Sequence, residues 1–320
     1  MSTSGPWPGW QSRGSPRRND MRPKRDSSYG TVKALLLLGR TSNLPTVWSN
    51  CLAAWLLAGG GLTESGDVQR FVWLNVGATL LYLAGMFLND AFDVKFDREH
   101  RAERPIPSGA ISVKAVWTLG VGQMILGLAC VVWVNVPAAA CALALVGSIL
   151  WYDWVHKKTA WSSLIMGLCR LFLYLLTGAI AVGEITLPVL LGSIAIWAYI
   201  VGLSNIARKE ATKGSVNSWP CWLLAMPLFL VFAMPYLAER SQIGTGLVVA
   251  ALIYLLWTVR SLLFTFKSMI PQYGRTVSGL LAGLVLFDFL LAASQNLQLG
   301  LVFFVLFASS LIFQKFIPAT

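Results

Sequence analysis

Apolar runs of about 20 residues recur along the chain, the length a helix needs to cross a bilayer's roughly 30 Å hydrocarbon core. They fall near 41–60, 71–92, 113–134, 137–155, 161–182, 187–206, 219–237, 245–264, 277–294 and 299–314. The chain is 56% hydrophobic and only 12% charged, and soluble domains carry about twice that charge. The expected fold is therefore an all-α integral membrane bundle of nine to ten transmembrane helices. Only "SQNLQLG" separates the last two runs, so the alternatives are ten spans, or nine with a terminal interfacial helix.

The net charge is +11, and its distribution is lopsided. With the N-terminus placed in the cytoplasm, only Arg70 and Arg240 fall on the far side, and Arg170 lies within a span. Such a bias orients a multi-pass protein in its membrane. The membrane could be a bacterial inner membrane or an organellar one. Membrane topology accounts for the basic balance, so no nucleic acid is needed as a partner; membrane lipids are. Residues 1–30, rich in Ser, Pro, Gly and Arg, read as a disordered basic tail next to anionic lipid, or alternatively as an organellar targeting peptide. Residues 31–320 are expected to form one transmembrane domain. The five cysteines stand singly in or beside apolar runs, where they read as small hydrophobes. His100 and His156 do not form a metal site between them.

The run at 71–92 ends in "NDAFDVKFDREHRAERPIPSG". On a helix Asp90, Asp93 and Asp97 are spaced i, i+3, i+7 and share a face, with Asn89 beside them. Like charges there repel, and acids sit badly at a helix C-terminus. One resolution is a solvated, salt-bridged helix end, for which Lys95–Glu99 and Asp97–Arg101 supply i, i+4 pairs. Asp90 and Asp93 have no such partner. The other resolution is a divalent cation: Mg²⁺ is usually shared between one or two carboxylates and substrate phosphates. Arg98, Arg101 and Arg104 could then face the remaining phosphate charge.

Asn89-Asp90-x-x-Asp93-x-x-x-Asp97 followed by "RPIPSG" resembles the first signature of the UbiA superfamily of intramembrane prenyltransferases. "LGRTSNLPTVWSN", with Arg40, Asn43 and Pro45, resembles that family's first-span entry. "YDWVHKKTAWSSLIMG" resembles its tyrosine–basic–threonine loop, carried by Tyr152, Lys157, Lys158 and Thr159. The resemblance implies helices around a central cavity that takes a prenyl diphosphate and Mg²⁺, with a lipophilic, aromatic or similarly electron-rich acceptor capturing the isoprenyl group. Carried over by position, Asn89, Asp93 and Asp97 would hold metal with Asp90 nearby, and Asp93, Asp97 and Lys157 would serve catalysis. Arg40, Asn43, Arg101, Arg104, Tyr152, Lys157, Lys158, Arg208 and Lys209 would bind substrate.

The family's second acidic motif departs from its pattern. In "SNIARKEATKG", anchored on Gly214, Glu210 matches the second acid and remains a candidate metal ligand, but the first acid falls on Ile206. Asn205 is a weak substitute, and Arg208, Lys209 and Lys213 make the loop basic. The departure resembles the UbiA-like subgroup of ebo metabolite-processing clusters. Either the protein is a working transferase, or it binds or helps export an isoprenoid or other metabolite without transferring it.

Arg170 and Asp288 lie about nine and eleven residues into their spans, roughly 14 and 17 Å. Similar depth suggests a buried ion pair beneath the cavity, either a structural lock or a polar pair that orients substrate. The tryptophans at 48, 55, 73, 117, 151, 154, 161 and 219 read mainly as interfacial anchors.

Overall fold

The computed structural model describes residues 30–159, 161–212, 218–237, 244–293 and 299–318, with backbone alone for 209–212 and 234–237. Almost all of the 1–30 tail thus lies outside the described residues. The elements are α1 (Thr31–Leu38), α2 (Leu44–Leu57), α3 (Ser65–Phe92), α4 (Val94–His100), α5 (Val113–Val131) and α6 (Val136–Val155). They continue with α7 (Ser162–Val182), α8 (Leu187–Thr212), α9 (Trp219–Leu237), α10 (Thr245–Phe266), α11 (Tyr273–Ala293) and α12 (Gly300–Phe316). No strand occurs among the described residues. Local chemistry sets several boundaries. Ser112 accepts from Ala115 N–H at the start of α5, and Asn135 accepts from Ala138 N–H at the start of α6. Gly183 ends α7 at φ 86°, where a side chain would be strained.

Ten helices stand where ten runs were expected, but they are not ten equal spans. Among the described residues seven, namely α3, α5, α6, α7, α8, α10 and α11, are long and apolar enough to cross a membrane. The first expected span is a 14-residue helix, α2, only about 21 Å long. A 3-10 turn over Thr41–Asn43 and the separate α1 precede it. All of α2 except Leu44 and Trp48 is buried, so it is a central strut wrapped by its neighbours. With its 17 residues, α12 also falls short in length; it packs on α11 and α2.

Neighbours in sequence pack side by side through most of the chain, and α11 closes the bundle against α2, α8 and α12. A close approach joins α3 to α5. A Cβ on Gly77 would meet Val131 at 2.7 Å, and one on Gly127 would meet the Gly77 carbonyl at 3.0 Å. Without hydrophobic drive inside lipid, close backbone contact of this kind is what holds helices together. Large apolar side chains such as Ile125, Phe229 and Leu256 face outward. Trp73, Trp151, Trp154, Trp161 and Trp219 are exposed, whereas Trp55 is buried with its Nε1 donating to Gly61 O at 2.9 Å. Trp48 Nε1 donates to Thr79 Oγ1 at 2.9 Å. These two indoles are internal fasteners and not anchors.

The expected Arg170–Asp288 pair is also corrected. Asn50 stands between them: its Oδ1 accepts from Arg170 Nη1, and its Nδ2 donates to both Asp288 oxygens at 2.9 and 2.7 Å. Ser49 and Tyr174 also donate to Asp288. Arg170 is further tied to Thr46 through its carbonyl at 3.2 Å and its hydroxyl at 3.0 Å. The sequence pattern gave the shared depth but not the polar face of α2 that separates the charges.

Candidate active site

Helix α3 runs to Phe92, and α4 restarts at Val94 with Asp93 as the joint (φ −82°, ψ −4°). Main-chain bonds still run Asp93 N to Asn89 O at 3.0 Å and Asp97 N to Asp93 O at 2.9 Å. The near-helical path keeps Asn89, Asp90, Asp93 and Asp97 together, and all four are buried. Their countercharges come from elsewhere in the chain. Arg104 Nη1 reaches Asp90 at 3.2 Å and Asp97 at 3.0 Å. Lys157 Nζ meets Asp93 Oδ1 at 2.8 Å, and His156 Nε2 meets Asp93 Oδ2 at 3.2 Å. Arg40 Nη2 lies 3.8 Å from Asp90. Burial alone would raise the pKa of the Asp93 carboxyl. Hydrogen bonds from His156 and Lys157 outweigh it and hold the group below its ordinary value.

The predicted i, i+4 ladder is replaced. Arg101 leaves helical geometry at φ −142°, ψ 58°, so it does not stack over Asp97, which Arg104 takes instead. Among the described residues Lys95 and Glu99 form no ion pair. The every-third-residue spacing of Arg98, Arg101 and Arg104 is likewise no helix face: Arg98 is exposed, while Arg101 and Arg104 turn inward.

Of these groups Arg40, Arg104 and His156 line a cavity of about 760 Å³, whereas Asn89, Asp90, Asp93, Asp97 and Lys157 are not among its lining residues. Arg40, Asn43, Arg101, Arg104, Tyr152 and Arg208 line its polar end, and side chains such as Leu81, Ile149, Leu203 and Leu284 line the remainder. Arg170 lies deeper along the same wall. Arg40 has a left-handed backbone (φ 41°), an unusual state for a residue with a Cβ and one that clusters at functional sites. Lys157 also lies 3.8 Å from the Phe96 ring centroid. Lys158 instead lies over the ring of exposed Trp154 and is not among the cavity-lining residues. Lys209 and Glu210 fall in the last turns of α8, and their side chains, with Lys213 and Gly214, lie outside the described residues. Ile206 is fully buried.

Asp153 and His156 are among the lining residues that the sequence reading did not assign to the site. Asp153 lies in the last turn of α6, and His156 and Lys157 follow just beyond its end. Among the described residues no three Asp, Glu, His or Cys groups form a ready metal cage. The donor set nevertheless fits Mg²⁺. It offers hard oxygens, and Asp97 Oδ1 and Asp153 Oδ2 are buried without hydrogen-bond partners. Mg²⁺ needs few protein ligands when phosphates supply the others.

A helical bundle around a largely apolar cavity with a cationic polar end defines a class of membrane-embedded cavity proteins. The sequence pattern of the UbiA prenyltransferase family matches residues 44–316, and the chain belongs to that family. A digeranylgeranylglyceryl phosphate synthase of Pyrococcus abyssi is 30% identical over 165 residues, covering 50% of this chain and 58% of that protein. The protoheme IX farnesyltransferase of Chloroflexus aurantiacus is 31% identical over 114 residues, 33% of this chain and 19% of that one. The chain thus spans little over half the length of the synthases it matches. A solved UbiA homologue from Archaeoglobus fulgidus bound to GPP and Mg²⁺ superposes with TM-score 0.60 at 15% identity, covering 88% of this chain and 99% of that one. A homologue from Aeropyrum pernix K1 gives 0.60 at 17%, covering 78% and 96%. The fold is that of these membrane proteins.

Proposed function

We propose that this protein transfers an isoprenyl group from a prenyl diphosphate to a lipophilic acceptor, aromatic or similarly electron-rich. The observation that carries the reading is the convergence of three α3–α4 aspartates with Arg40, Arg104, His156 and Lys157, of which Arg40, Arg104 and His156 line the largely apolar cavity. The diphosphate would lie among Arg40, Arg101, Arg104, Lys157 and Arg208, with its isoprenyl tail along the apolar wall. Asn89, Asp90, Asp93 and Asp97 would hold Mg²⁺, which supplies charge neutralisation of the leaving diphosphate.

As the C1–O bond breaks, the electron pair leaves with the diphosphate, and the guanidinium and ammonium groups oppose the growing negative charge. The apolar wall keeps water from the allylic cation until the acceptor's electron pair closes the new bond, and the acceptor then loses a proton. The matched relatives, one named for a glyceryl phosphate product and one for protoheme, support a lipophilic acceptor without fixing its ring chemistry. The basic bias supports a cytoplasmic-facing mouth.

One observation favours a second reading. Ile206 is fully buried where family enzymes carry an acid, consistent with a protein that holds or helps export a metabolite without transfer. The test is purified protein in detergent with prenyl diphosphates of several lengths, Mg²⁺ and a panel of acceptors. Diphosphate release that disappears with EDTA and with Asp93→Asn supports transfer. Tight binding without release against every acceptor supports the carrier.

A further inference from the structure

Asp153 has no part in the site as predicted from sequence, yet it lies inside it. It is in the last turn of α6, 4% exposed, and lines the cavity. Its Oδ1 accepts from Asn89 Nδ2 at 3.0 Å. Its Oδ2 is buried with no hydrogen-bond partner, an exception that calls for an explanation in any folded protein. The neighbouring imidazole does not supply one. His156 turns Nδ1 to the Tyr152 and Asp153 carbonyls, each at 3.2 Å, and Nε2 to Asp93. No ion pair among the described residues includes Asp153.

The contact with Asn89 carries further information. An ionised carboxylate can only accept, so the Asn89 amide must turn its nitrogen toward Asp153, leaving its oxygen for another partner. Carbonyl and carboxylate oxygens are the donors that Mg²⁺ selects. Meanwhile α8 offers buried Ile206 where an acid would stand. Resting on the prenyl diphosphate reading above, we propose that Asp153 stands in for the acid whose place on α8 is taken by Ile206. Its Oδ2 is a ligand of the divalent cation, and its Oδ1 holds the Asn89 amide in the orientation that makes Asn89 a ligand too.

The test is Mn²⁺ binding by the full chain in detergent with inorganic diphosphate, read from the free-ion electron paramagnetic resonance signal. Asp153→Asn keeps size and an acceptor for Asn89 but removes the charge. It should weaken Mn²⁺ binding at least about tenfold, as should Asp93→Asn. Unchanged affinity in Asp153→Asn with loss in Asp93→Asn overturns this proposal and leaves the prenyl diphosphate reading standing. Unchanged affinity in both overturns both. Should Asp153→Asn not fold, the wild-type protein decides. Fe²⁺ in place of Mg²⁺, with ascorbate and peroxide, cuts the backbone near its ligands. Scission around residue 153 as well as residue 93 supports the assignment, and scission around 93 alone overturns it.

Discussion

Two charged clusters sit at different depths of the same bundle, and their partners differ in kind. At the mouth, acid meets base directly: Asp90 and Asp97 share Arg104, and Asp93 holds Lys157 and His156. In the interior Arg170 and Asp288 do not touch, and neutral side chains of α2 and α7 stand between and around them. Lys157 and Arg104 keep part of their surface in water, where ion pairs hold weakly and can be exchanged for another anion. Asp288 is fully buried, where removing a partner leaves a charge that nothing compensates. The mouth is built for exchange, the interior for permanence.

The strongest way to break that contrast is Asp288→Ala. It leaves Ser49, Asn50 and Tyr174 without their buried acceptor, at about 1–3 kcal/mol for each unsatisfied group, so stability should fall by about 3–5 kcal/mol. Thermal unfolding in detergent measures this; a loss below about 1 kcal/mol would show that the interior cluster is no lock. Next in size, Asp93→Asn should cut diphosphate release about 100- to 1,000-fold while thermal unfolding changes little. If it unfolds the protein as Asp288→Ala does, the two clusters are not different in kind.

Those two substitutions also mark where sequence was legible. The mouth could be read because one helix carries its acids: spacing along α3–α4 dictates which side chains share a face, whatever the tertiary structure. Their partners could not. Arg104 reaches back past Arg101 because α4 stops at His100, and a helix end shifted by one turn would have favoured a different arginine. Asp153 was missed because its importance lies in facing Asn89 across a helix interface, which no linear spacing records. For the span near residue 41, apolarity was right and length was misleading, since buried apolar residues look the same whether lipid or protein covers them. The Asn50 relay was hidden for a related reason. Ser49 and Asn50 sit in a run whose overall hydropathy conceals one polar stripe.

The relay yields the third prediction. Arg170→Ala and Asp288→Ala should not add, because either one idles the same Asn50 amide. The double substitution should recover about 0.5–3 kcal/mol relative to the sum of the singles. Strictly additive losses would mean that Asn50 holds each charge independently and transmits nothing between them.

The smallest effect tests the mouth's capacity for exchange without removing charge. Arg104 contacts both Asp90 and Asp97 through a single nitrogen, Nη1, while the residue also lines the cavity. Its planar fork can therefore hold the acids with one nitrogen and offer others to a diphosphate. Lysine keeps the charge but presents one compact ammonium that cannot serve both sides in a fixed geometry. Arg104→Lys should raise KM for the prenyl diphosphate several-fold, up to about tenfold or 1.4 kcal/mol, with kcat and thermal stability nearly unchanged. An unchanged KM would mean that Arg104 only neutralises its own acids. The mouth would then resemble the interior cluster more closely, and substrate recognition would fall to Arg40, Arg101 and Arg208.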